Sequence, residues 1–404
     1  MKRAIIVALD LNPELGSECG NAHQWARIIA RHYHVDVFVP AWHQGGIVRS
    51  LSVYPLATFH FMFPNTPIQS VLRKLGPPNV RNAVFVHVVK RTLQRADLRE
   101  YGLIHVLTPA GVHSFNSLYT LGIPVIVGPL GGALPSHPAF RDTFKDQWLR
   151  NSLRDTFYRL VVHLPSWRRY FLNANTVLVG TDFVTEFLPE ECRSKSQVVF
   201  DTCVDTDVYK PPTERRPTES TVRVLFAGIL SAIKGPVLLV EAVRLCRARG
   251  VQGLEVVLFG DGPLRERLQR LIDDSGLDDC ITLRGRVPKQ ELVEQYQKSD
   301  VFCLPTLRES GGSAILEAMA CGLPVITSDY GGPRYSVTDD CGIRIGMVNP
   351  DQYARDLSFA LELLVRREDL RRSMGHRARQ RALESFSLQA LDRRIQDIYR
   401  DYMA

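Results

Sequence analysis

The second half of the chain alternates short, continuously apolar segments with amphipathic ones. Helical patterns such as PLRERLQRLIDDSG separate the apolar segments. Strands with no polar face are typical of a parallel sheet that helices cover on both sides. The alternation therefore predicts a doubly wound α/β domain, with strands at 222–228, 254–260, 281–285, 300–305 and 324–329.

The first half shows the same alternation less regularly. A polar, proline-rich segment, YKPPTERRPTEST at 209–221, follows it and is typical of an interdomain linker. We therefore predict two Rossmann-like domains, residues 1–205 and 206–383. Strands of the first domain are predicted at 3–9, 35–40, 103–108, 124–129 and 175–180.

The last segment, residues 384–404, forms a separate amphipathic pattern. Its apolar residues recur at helical spacing, as Phe386, Leu391, Ile395 and Ile398 show. We predict a helix that packs back on the N-terminal domain. Because ligands of doubly wound sheets bind outside the carboxyl ends of the strands, we expect the active site in a cleft that both domains face.

Composition narrows the class of protein. A chain of 404 residues with 45% hydrophobic and 23% charged residues fits two ordinary globular domains. Eight scattered cysteines with no CxxC pair indicate reduced thiols, and the opening MKRAIIVALDLN is a strand pattern rather than a signal peptide. No apolar run reaches the length of a spanning helix, so we expect a soluble, cytoplasmic protein.

The stretch LRESGGSAILEAMACGLPV holds two glutamates on either side of a glycine pair. Glu309 follows a predicted strand, whereas a helix begins near Ser313. Gly311 and Gly312 would each destabilise a helix interior by about 1 kcal/mol, so they mark a loop where bare backbone approaches a ligand. The helix amino end binds phosphate, and Glu317 on its first turns can accept hydrogen bonds from ribose hydroxyls.

These residues resemble a known family. ESGGSAILE has the E-x7-E motif of family-four retaining glycosyltransferases, which have the GT-B fold. The stretches LFAGILSAIKG (225–235), VVLFGDGPLRERL (256–268), ITLRGRVPKQEL (281–292) and GSECGNA (16–22) agree with it in order and spacing. The resemblance implies two doubly wound Rossmann-like domains that face a central cleft, and a nucleoside-diphosphate sugar as donor.

The resemblance also assigns roles to residues of the donor site. Glu309 contacts the donor sugar, Glu317 the ribose and Lys234 the diphosphate. Where the family usually has a second diphosphate-binding arginine this chain has Ile229, and Arg286 and Arg334 are candidate substitutes. The predicted donor-binding residues are Gly16, Gly228, Lys234, Gly260, Gly262, Arg286, Val287, Glu309, Ser310, Gly311, Gly312, Ser313 and Glu317.

Acceptor contacts are expected beyond two apolar strands of the first domain. His105 is the nearest match to a histidine that the family carries at this strand end, and His113 is a second candidate. A strand histidine is alternatively a hydrogen-bonded core residue, and the loop at Gly16 is alternatively a plain turn. The predicted acceptor-binding residues are His105, Thr108, His113, Gly131 and Gly132, and the predicted catalytic residues are Glu309, Lys234 and His105.

Two further segments allow more than one interpretation. The DxD triplet Asp205-Thr206-Asp207 lies at the start of the linker and is interpreted as a turn, so we predict no metal and no cofactor. Residues 141–171 interleave six arginines with apolar side chains. They form either a helix packed on its own sheet or a face that lies peripherally on an anionic membrane. The net charge of +7 and the lack of a recognition motif speak against nucleic acid.

The sequence thus predicts a metal-independent, retaining transferase of a hexose-type sugar. We expect a uridine-linked donor and a hydroxyl acceptor, whether a sugar, a lipid-linked sugar or a small molecule, in the synthesis of a glycan, glycolipid or glycoside. By the resemblance, the leaving phosphate accepts the proton of the acceptor, so no side-chain nucleophile is needed. The alternatives are a nucleotide-sugar epimerase of GT-B-like fold and a non-catalytic protein that binds sugar nucleotides.

Overall fold

The protein is described by a computed structural model. It describes residues 2–15, 17–63, 78–112, 114–132, 134–161, 164–213 and 221–403, with the backbone alone for Ser17 and for 78–80, 144–151 and 159. The chain forms two compact units. Unit 1 comprises residues 1–133, 154–203 and 389–404, and unit 2 comprises residues 134–153 and 204–388.

Unit 1 is built on a seven-stranded sheet in which every pairing is parallel. The strand order is β3-β2-β1-β4-β5-β6-β7, so the chain reverses direction across the sheet between β1 and β4. The central strands are almost wholly buried, as their continuous apolar runs predict. The strands are β1 (Arg3–Ala8), β2 (Val35–Pro40), β3 (Ala57–Met62), β4 (Tyr101–Thr108), β5 (Val125–Leu130), β6 (Thr176–Val179) and β7 (Ser196–Val198).

Helices cover this sheet, and the last helix of the chain is one of them. The ring of Tyr399 stacks on Tyr33, with 5.3 Å between ring centroids, and the hydroxyl of Tyr402 lies 2.7 Å from Thr176 Oγ1. The helices are α1 (Ser17–His32), α2 (Gln44–Val48), α3 (Pro78–Leu93), α4 (Lys145–Val161), α5 (Pro165–Asn173), α6 (Asp182–Thr185), α7 (Glu190–Arg193) and, at the end of the chain, α15 (Leu388–Met403). Short 3-10 helices lie at 41–43, 51–53, 98–100 and 118–121; a further one at 138–144 and the first residues of α4, 145–153, belong to unit 2.

Unit 2 repeats the design with a six-stranded parallel sheet. Its order is β10-β9-β8-β11-β12-β13, which again reverses between the two central strands. The prediction of doubly wound α/β sheets in both halves is therefore confirmed. The strands are β8 (Val222–Ala227), β9 (Leu254–Phe259), β10 (Ile281–Gly285), β11 (Val301–Leu304), β12 (Val325–Ser328) and β13 (Gly342–Ile345).

The helices of unit 2 follow its strands in regular alternation. Unit 2 also contains a 3-10 turn at 232–234 and a π-helical turn at 382–386. No described helix is long and apolar enough to cross a lipid bilayer. The α-helices are α8 (Pro236–Ala248), α9 (Arg265–Asp274), α10 (Lys289–Gln297), α11 (Ser313–Ala320), α12 (Gly331–Ser336), α13 (Pro350–Arg366) and α14 (Glu368–Arg381).

Unit 2 also includes the segment 134–153, which the sequence places in the first domain. Its contacts explain the assignment. Phe140 is fully buried with its ring 5.8 Å from Tyr353, and Pro135 accepts a hydrogen bond of 3.0 Å from the hydroxyl of Tyr330. The segment follows strand β5 of unit 1 in the sequence, but the contacts of a buried aromatic ring place it in unit 2.

Candidate donor site

Strands β8 and β11 lie side by side at the centre of the unit 2 sheet, where the strand order reverses. The loops that leave the carboxyl ends of such neighbours diverge and open a crevice for ligands. Here the two loops are Gly228–Gly235 and Pro305–Gly312, and they contain the cationic and acidic residues that the sequence selects. The topology therefore brings Lys234 and Glu309 to one edge of the sheet.

Lys234 and Glu309 form an ion pair between Nζ and Oε2. Backbone packing sets up this pair. Ile233 O accepts hydrogen bonds from Leu307 N at 2.7 Å and from Thr306 Oγ1 at 3.0 Å, which joins the 3-10 turn to the loop after β11. The Lys234 and Glu309 side chains remain 24% and 15% exposed, so the ammonium group is accessible at the crevice.

Helix α11 begins immediately after this loop. Gly312 is its N-cap in a left-handed conformation, with φ of +74°, and its carbonyl accepts from the Ile315 amide at 2.9 Å. Within the described residues, no backbone carbonyl accepts from the amides of Ser313 or Ala314. These two N–H groups belong to the positive end of the helix dipole and can bind an anion.

A second glycine pair, which the sequence analysis did not select, supports the loop. Gly332 N donates to Glu309 O at 2.9 Å, and Gly331 has φ of +64°. A Cβ on Gly331 would lie 2.4 Å from Glu309 O, too close for any side chain. Gly331 and Gly332 thereby hold the backbone of Glu309 in place. The repeat of the glycine pair one strand later, in DYGGPRY, is the signal that could have identified them.

Glu317, on the second turn of α11, is held by tyrosine hydroxyls. Tyr296 Oη donates to Glu317 Oε2 at 3.0 Å, and Tyr209 Oη also donates to this carboxylate. Desolvation by burial raises the pKa of Glu317, whereas these hydrogen bonds oppose that rise. A desolvated carboxylate with fixed orientation is suited to accept hydrogen bonds from a diol.

Arg379 of helix α14 fixes the position of one of these tyrosines. Its Nη1 donates to Tyr209 O at 2.9 Å and to Ala320 O at 2.7 Å, and its Nη2 donates to Thr206 O at 3.2 Å. Burial lowers the pKa of this guanidinium. Neither Arg379 nor the tyrosines could be selected from the sequence, because they lie far from Glu317 along the chain.

A cavity of about 250 Å³ joins several predicted donor residues. A larger cavity of about 540 Å³, lined by Ser231–Ile233, Leu264 and Leu307 among others, contains neither Glu317 nor the turn at Gly260. The smaller cavity is therefore the better candidate for a nucleoside. It is lined by Ala227, Gly228, Ile229, Phe259, Gly260, Asp261, Arg286, Val287, Leu292, Tyr296, Ala314 and Glu317.

The glycine at position 260 has a structural reason besides ligand approach. Gly260 has φ of +135°, and a Cβ there would lie 1.8 Å from Gly228 O. The turns after β8 and β9 thus pack backbone to backbone, which forms the floor of the cavity. Gly262 packs in the same way on Leu230 and does not line the cavity. The cavity therefore does not support the prediction that Gly262 binds the donor.

The family resemblance implies a diphosphate-binding arginine where this chain has Ile229. Of its two candidate substitutes, Arg286 and Arg334, one lines the cavity. Ile229 is 55% exposed and lines the cavity together with Arg286. Arg334 does not line the cavity, and its Nε lies 3.7 Å from Asp329 Oδ1. The geometry therefore favours Arg286 over Arg334 as the second cation.

The DxD triplet forms a turn. Asp205 Oδ1 accepts from the amides of Asp207 at 3.1 Å and Val208 at 3.3 Å, as an aspartate at a turn start does. In the parts of the chain that the structure describes, no group of three or more histidine, cysteine, aspartate or glutamate side chains could hold a metal ion.

His105 lies in the core of unit 1, which corrects its predicted catalytic and acceptor-binding role. It is fully buried, with Nε2 2.7 Å from Gly128 O and Nδ1 2.8 Å from Tyr399 Oη. Since a carbonyl only accepts, Nε2 donates and Nδ1 accepts from Tyr399. Burial lowers the pKa of His105 to about 4, so the ring is neutral at pH 7 and has no free nitrogen for proton transfer.

We expect His105→Ala to act on stability rather than on catalysis. Two buried hydrogen bonds and the ring's packing are lost, so the free energy of unfolding should fall by about 3 kcal/mol. Denaturant unfolding measures this loss, and kcat of the folded enzyme should not change. A large fall in kcat with unchanged stability would contradict the structural role.

The remaining acceptor candidates divide into buried and accessible residues. Thr108 is buried, and its hydroxyl donates to Asp10 O at 3.0 Å, which corrects its predicted acceptor contact. Gly131 is also buried, and its amide donates to Ala110 O at 2.6 Å. Gly132 is exposed, with open space where a Cβ would lie. The candidates Gly16 and His113 lie outside the described residues.

The fold and the site define a class of protein. Two parallel-sheet α/β units of this kind form the GT-B architecture, and Anabaena HepE in complex with UDP has the same fold. That structure aligns with a TM-score of 0.64 and 16% identity over 99% of this chain and 100% of the other. At this level of identity the likeness shows the fold alone.

Sequence comparison relates part of the chain to a known family. Residues 212–381 match the family model described as glycosyl transferases group 1, so the match covers most of unit 2. The D-inositol 3-phosphate glycosyltransferase of Paenarthrobacter aurescens (strain TC1) is 33% identical over 195 residues, 46% of this chain and 47% of that protein. The alpha-D-kanosaminyltransferase of Streptomyces kanamyceticus is 28% identical over 261 residues, 61% of this chain and 66% of that protein.

This chain covers about half of the first curated relative, 47% of its length. The residues matched by the family model include every predicted donor residue from Gly228 to Glu317. The name of the first relative gives an acceptor, D-inositol 3-phosphate, whereas the name of the second gives only the transferred sugar. These names therefore do not identify the acceptor of this chain.

Proposed function

We propose that this chain is a retaining glycosyltransferase that transfers a hexose-type sugar from a UDP-linked donor to a hydroxyl acceptor, without a metal. The observation that carries the proposal is the Lys234–Glu309 pair beside the free amides of helix α11. Cation, amides and carboxylate lie in one loop system at the point where the unit 2 sheet reverses. This is the arrangement that a diphosphate joined to a sugar requires.

The residues divide the donor between them in the proposal. The cavity of about 250 Å³ takes the nucleoside, with Glu317 accepting from the ribose hydroxyls. The amides of Ser313 and Ala314 and the ammonium of Lys234 bind the diphosphate. Glu309, fixed by the amide of Gly332, reaches the sugar.

The proposed mechanism requires only these groups. As the bond from the sugar to the diphosphate breaks, negative charge grows on the leaving phosphate, and Lys234 with the helix amides stabilises it. Both carboxylates are already engaged, Glu309 by Lys234 and Glu317 by the tyrosines. In the proposal neither carboxylate is the nucleophile: the acceptor oxygen bonds to the anomeric carbon as the bond to the diphosphate breaks, and the acceptor proton passes to the leaving phosphate on the same face.

The proposed donor base is uracil, and a thermal-shift comparison of UDP, ADP and GDP tests it. A ligand that binds only the folded protein at 100 times its Kd stabilises it by about 2.7 kcal/mol. We expect UDP to raise the melting temperature most, and UDP-sugars to raise it further. Equal shifts with the three diphosphates would overturn the uracil assignment, and no shift with any of them would overturn the donor site.

Solvent exchange and product analysis separate the rival functions. A nucleotide-sugar epimerase would incorporate deuterium from D₂O at a carbon of the donor sugar, whereas a transferase does not. A non-catalytic binder would shift in melting temperature with UDP but release no UDP from UDP-sugar at any acceptor concentration. We expect UDP release that depends on acceptor and no deuterium in the recovered sugar.

A further inference from the structure

Helices α4 and α5 cover one side of unit 1 with only part of their apolar residues. The inward side chains join the core of unit 1: Val161 is 2% exposed, Tyr170 2% and Phe171 0%, and Tyr158 packs against the same core. The inward face of residues 158–171 is therefore packed on the core of unit 1, whereas residues 141–153 belong to unit 2.

A second set of large apolar side chains, on the two helices and at the N-cap of α5, faces solvent. Phe157 is 46% exposed, Leu160 63%, Leu164 48% and Leu172 39%. At about 100° per residue, Leu160 lies roughly 160° around α4 from Tyr158, so the apolar stripe is wider than the core can cover. Single exposed leucines are ordinary, but four large exposed apolar residues within 16 residues are a reason to look for a partner.

The segment that carries these residues has a positive net charge. Residues 154–173 contain four arginines and one aspartate, and the whole chain has a net charge of +7. Arg169 is exposed, and Arg168 is half-exposed and paired with Glu191. A protein partner could bind apolar side chains whether the charges around them are positive or negative. Apolar side chains among arginines, by contrast, complement an anionic lipid surface.

We propose that the surface formed by Phe157, Leu160, Leu164, Arg169 and Leu172 lies on an anionic membrane. The apolar side chains enter the boundary between headgroups and acyl chains, and the guanidinium groups contact lipid phosphates. The occupant is the bilayer itself, and the proposal does not depend on the sugar donor or on the reaction.

Vesicle flotation with the full-length chain tests the proposal. We expect the protein to float with vesicles of phosphatidylglycerol and phosphatidylcholine, to stay in the bottom fraction with phosphatidylcholine alone, and to be released as NaCl is raised. The variant Leu160→Ser/Leu164→Ser should bind about a hundredfold more weakly, because burying each leucine contributes about one factor of ten. Leu363→Ser/Leu383→Ser, at exposed leucines of unit 2, is the matched control and should bind as the wild type does.

Two results would overturn the proposal. The first is a wild-type protein that does not float with anionic vesicles at low salt. The second is self-association in solution that Leu160→Ser/Leu164→Ser abolishes, which would make the surface an interface between two copies of the chain. If the leucine variant does not fold, Arg169→Gln decides the matter with Arg366→Gln as control. Binding that depends on neither Arg169 nor salt would then exclude an anionic membrane.

Discussion

Replacing Lys234 with alanine should lower kcat by about 10²- to 10³-fold, which is the usual effect of removing one preorganised donor to a developing oxyanion. The effect should be large here because Ile229 occupies the place of the second diphosphate arginine. The variant also leaves Glu309 without its cationic partner. UDP release from UDP-sugar at saturating donor measures the loss.

Two further variants serve as controls for Lys234→Ala. Lys298 forms an exposed ion pair with Glu294 in unit 2, so Lys298→Ala should leave kcat unchanged. Adding Ile229→Arg to Lys234→Ala should restore part of the lost rate, because an arginine at this cavity-lining position returns a cation to the strand end. Full activity in Lys234→Ala would show that the diphosphate lies elsewhere.

Replacing Glu317 with glutamine should weaken UDP binding by about tenfold to a hundredfold, the usual contribution of a hydrogen bond to a charged group. Two ribose hydroxyls would lose an anionic acceptor, whereas the amide oxygen can still accept from Tyr296. Titration calorimetry with UDP measures the change. Glu294→Gln, which removes an exposed carboxylate of the same unit, should not alter the affinity.

The same variant should have the opposite effect on stability. Because burial raises the pKa of Glu317, the folded state holds its proton more strongly than the unfolded chain does. Stability therefore falls as pH rises from the unfolded pKa of about 4.3 toward the folded pKa. Glu317→Gln should remove this part of the pH dependence and unfold at an equal or higher denaturant concentration at pH 7. A variant that loses stability at pH 7 and still binds UDP normally would show that Glu317 has a structural role only.

The sequence predicted those elements whose formation depends on residues close together in the chain. Among the residues that the structure describes, continuous apolar runs identified ten of the thirteen strands, and a glycine pair between two glutamates located the start of helix α11. The three missed strands, β3, β7 and β13, all lie at sheet edges. An edge strand faces solvent on one side, so its sequence does not need to be continuously apolar.

The residues that sequence misplaced depend on contacts between distant segments. His105 carries the same strand-end signal as a ligand-binding histidine, but its two partners, Gly128 and Tyr399, come from another strand and from the last helix. Tyr296, Tyr209 and Arg379 surround Glu317 from separate elements. The spacing of residues along the chain does not predict such contacts between distant segments.

The sequence by itself determined the two doubly wound sheets, the loop that carries Glu309 and the start of the helix that carries Ser313 and Glu317, because apolar periodicity and glycine conformation act within a few residues. Only the tertiary structure decided that Lys234 pairs with Glu309, that His105 is a core residue and that residues 134–153 belong to unit 2. These outcomes depend on which side chains are desolvated together, and desolvation is a property of the packed chain rather than of any single segment.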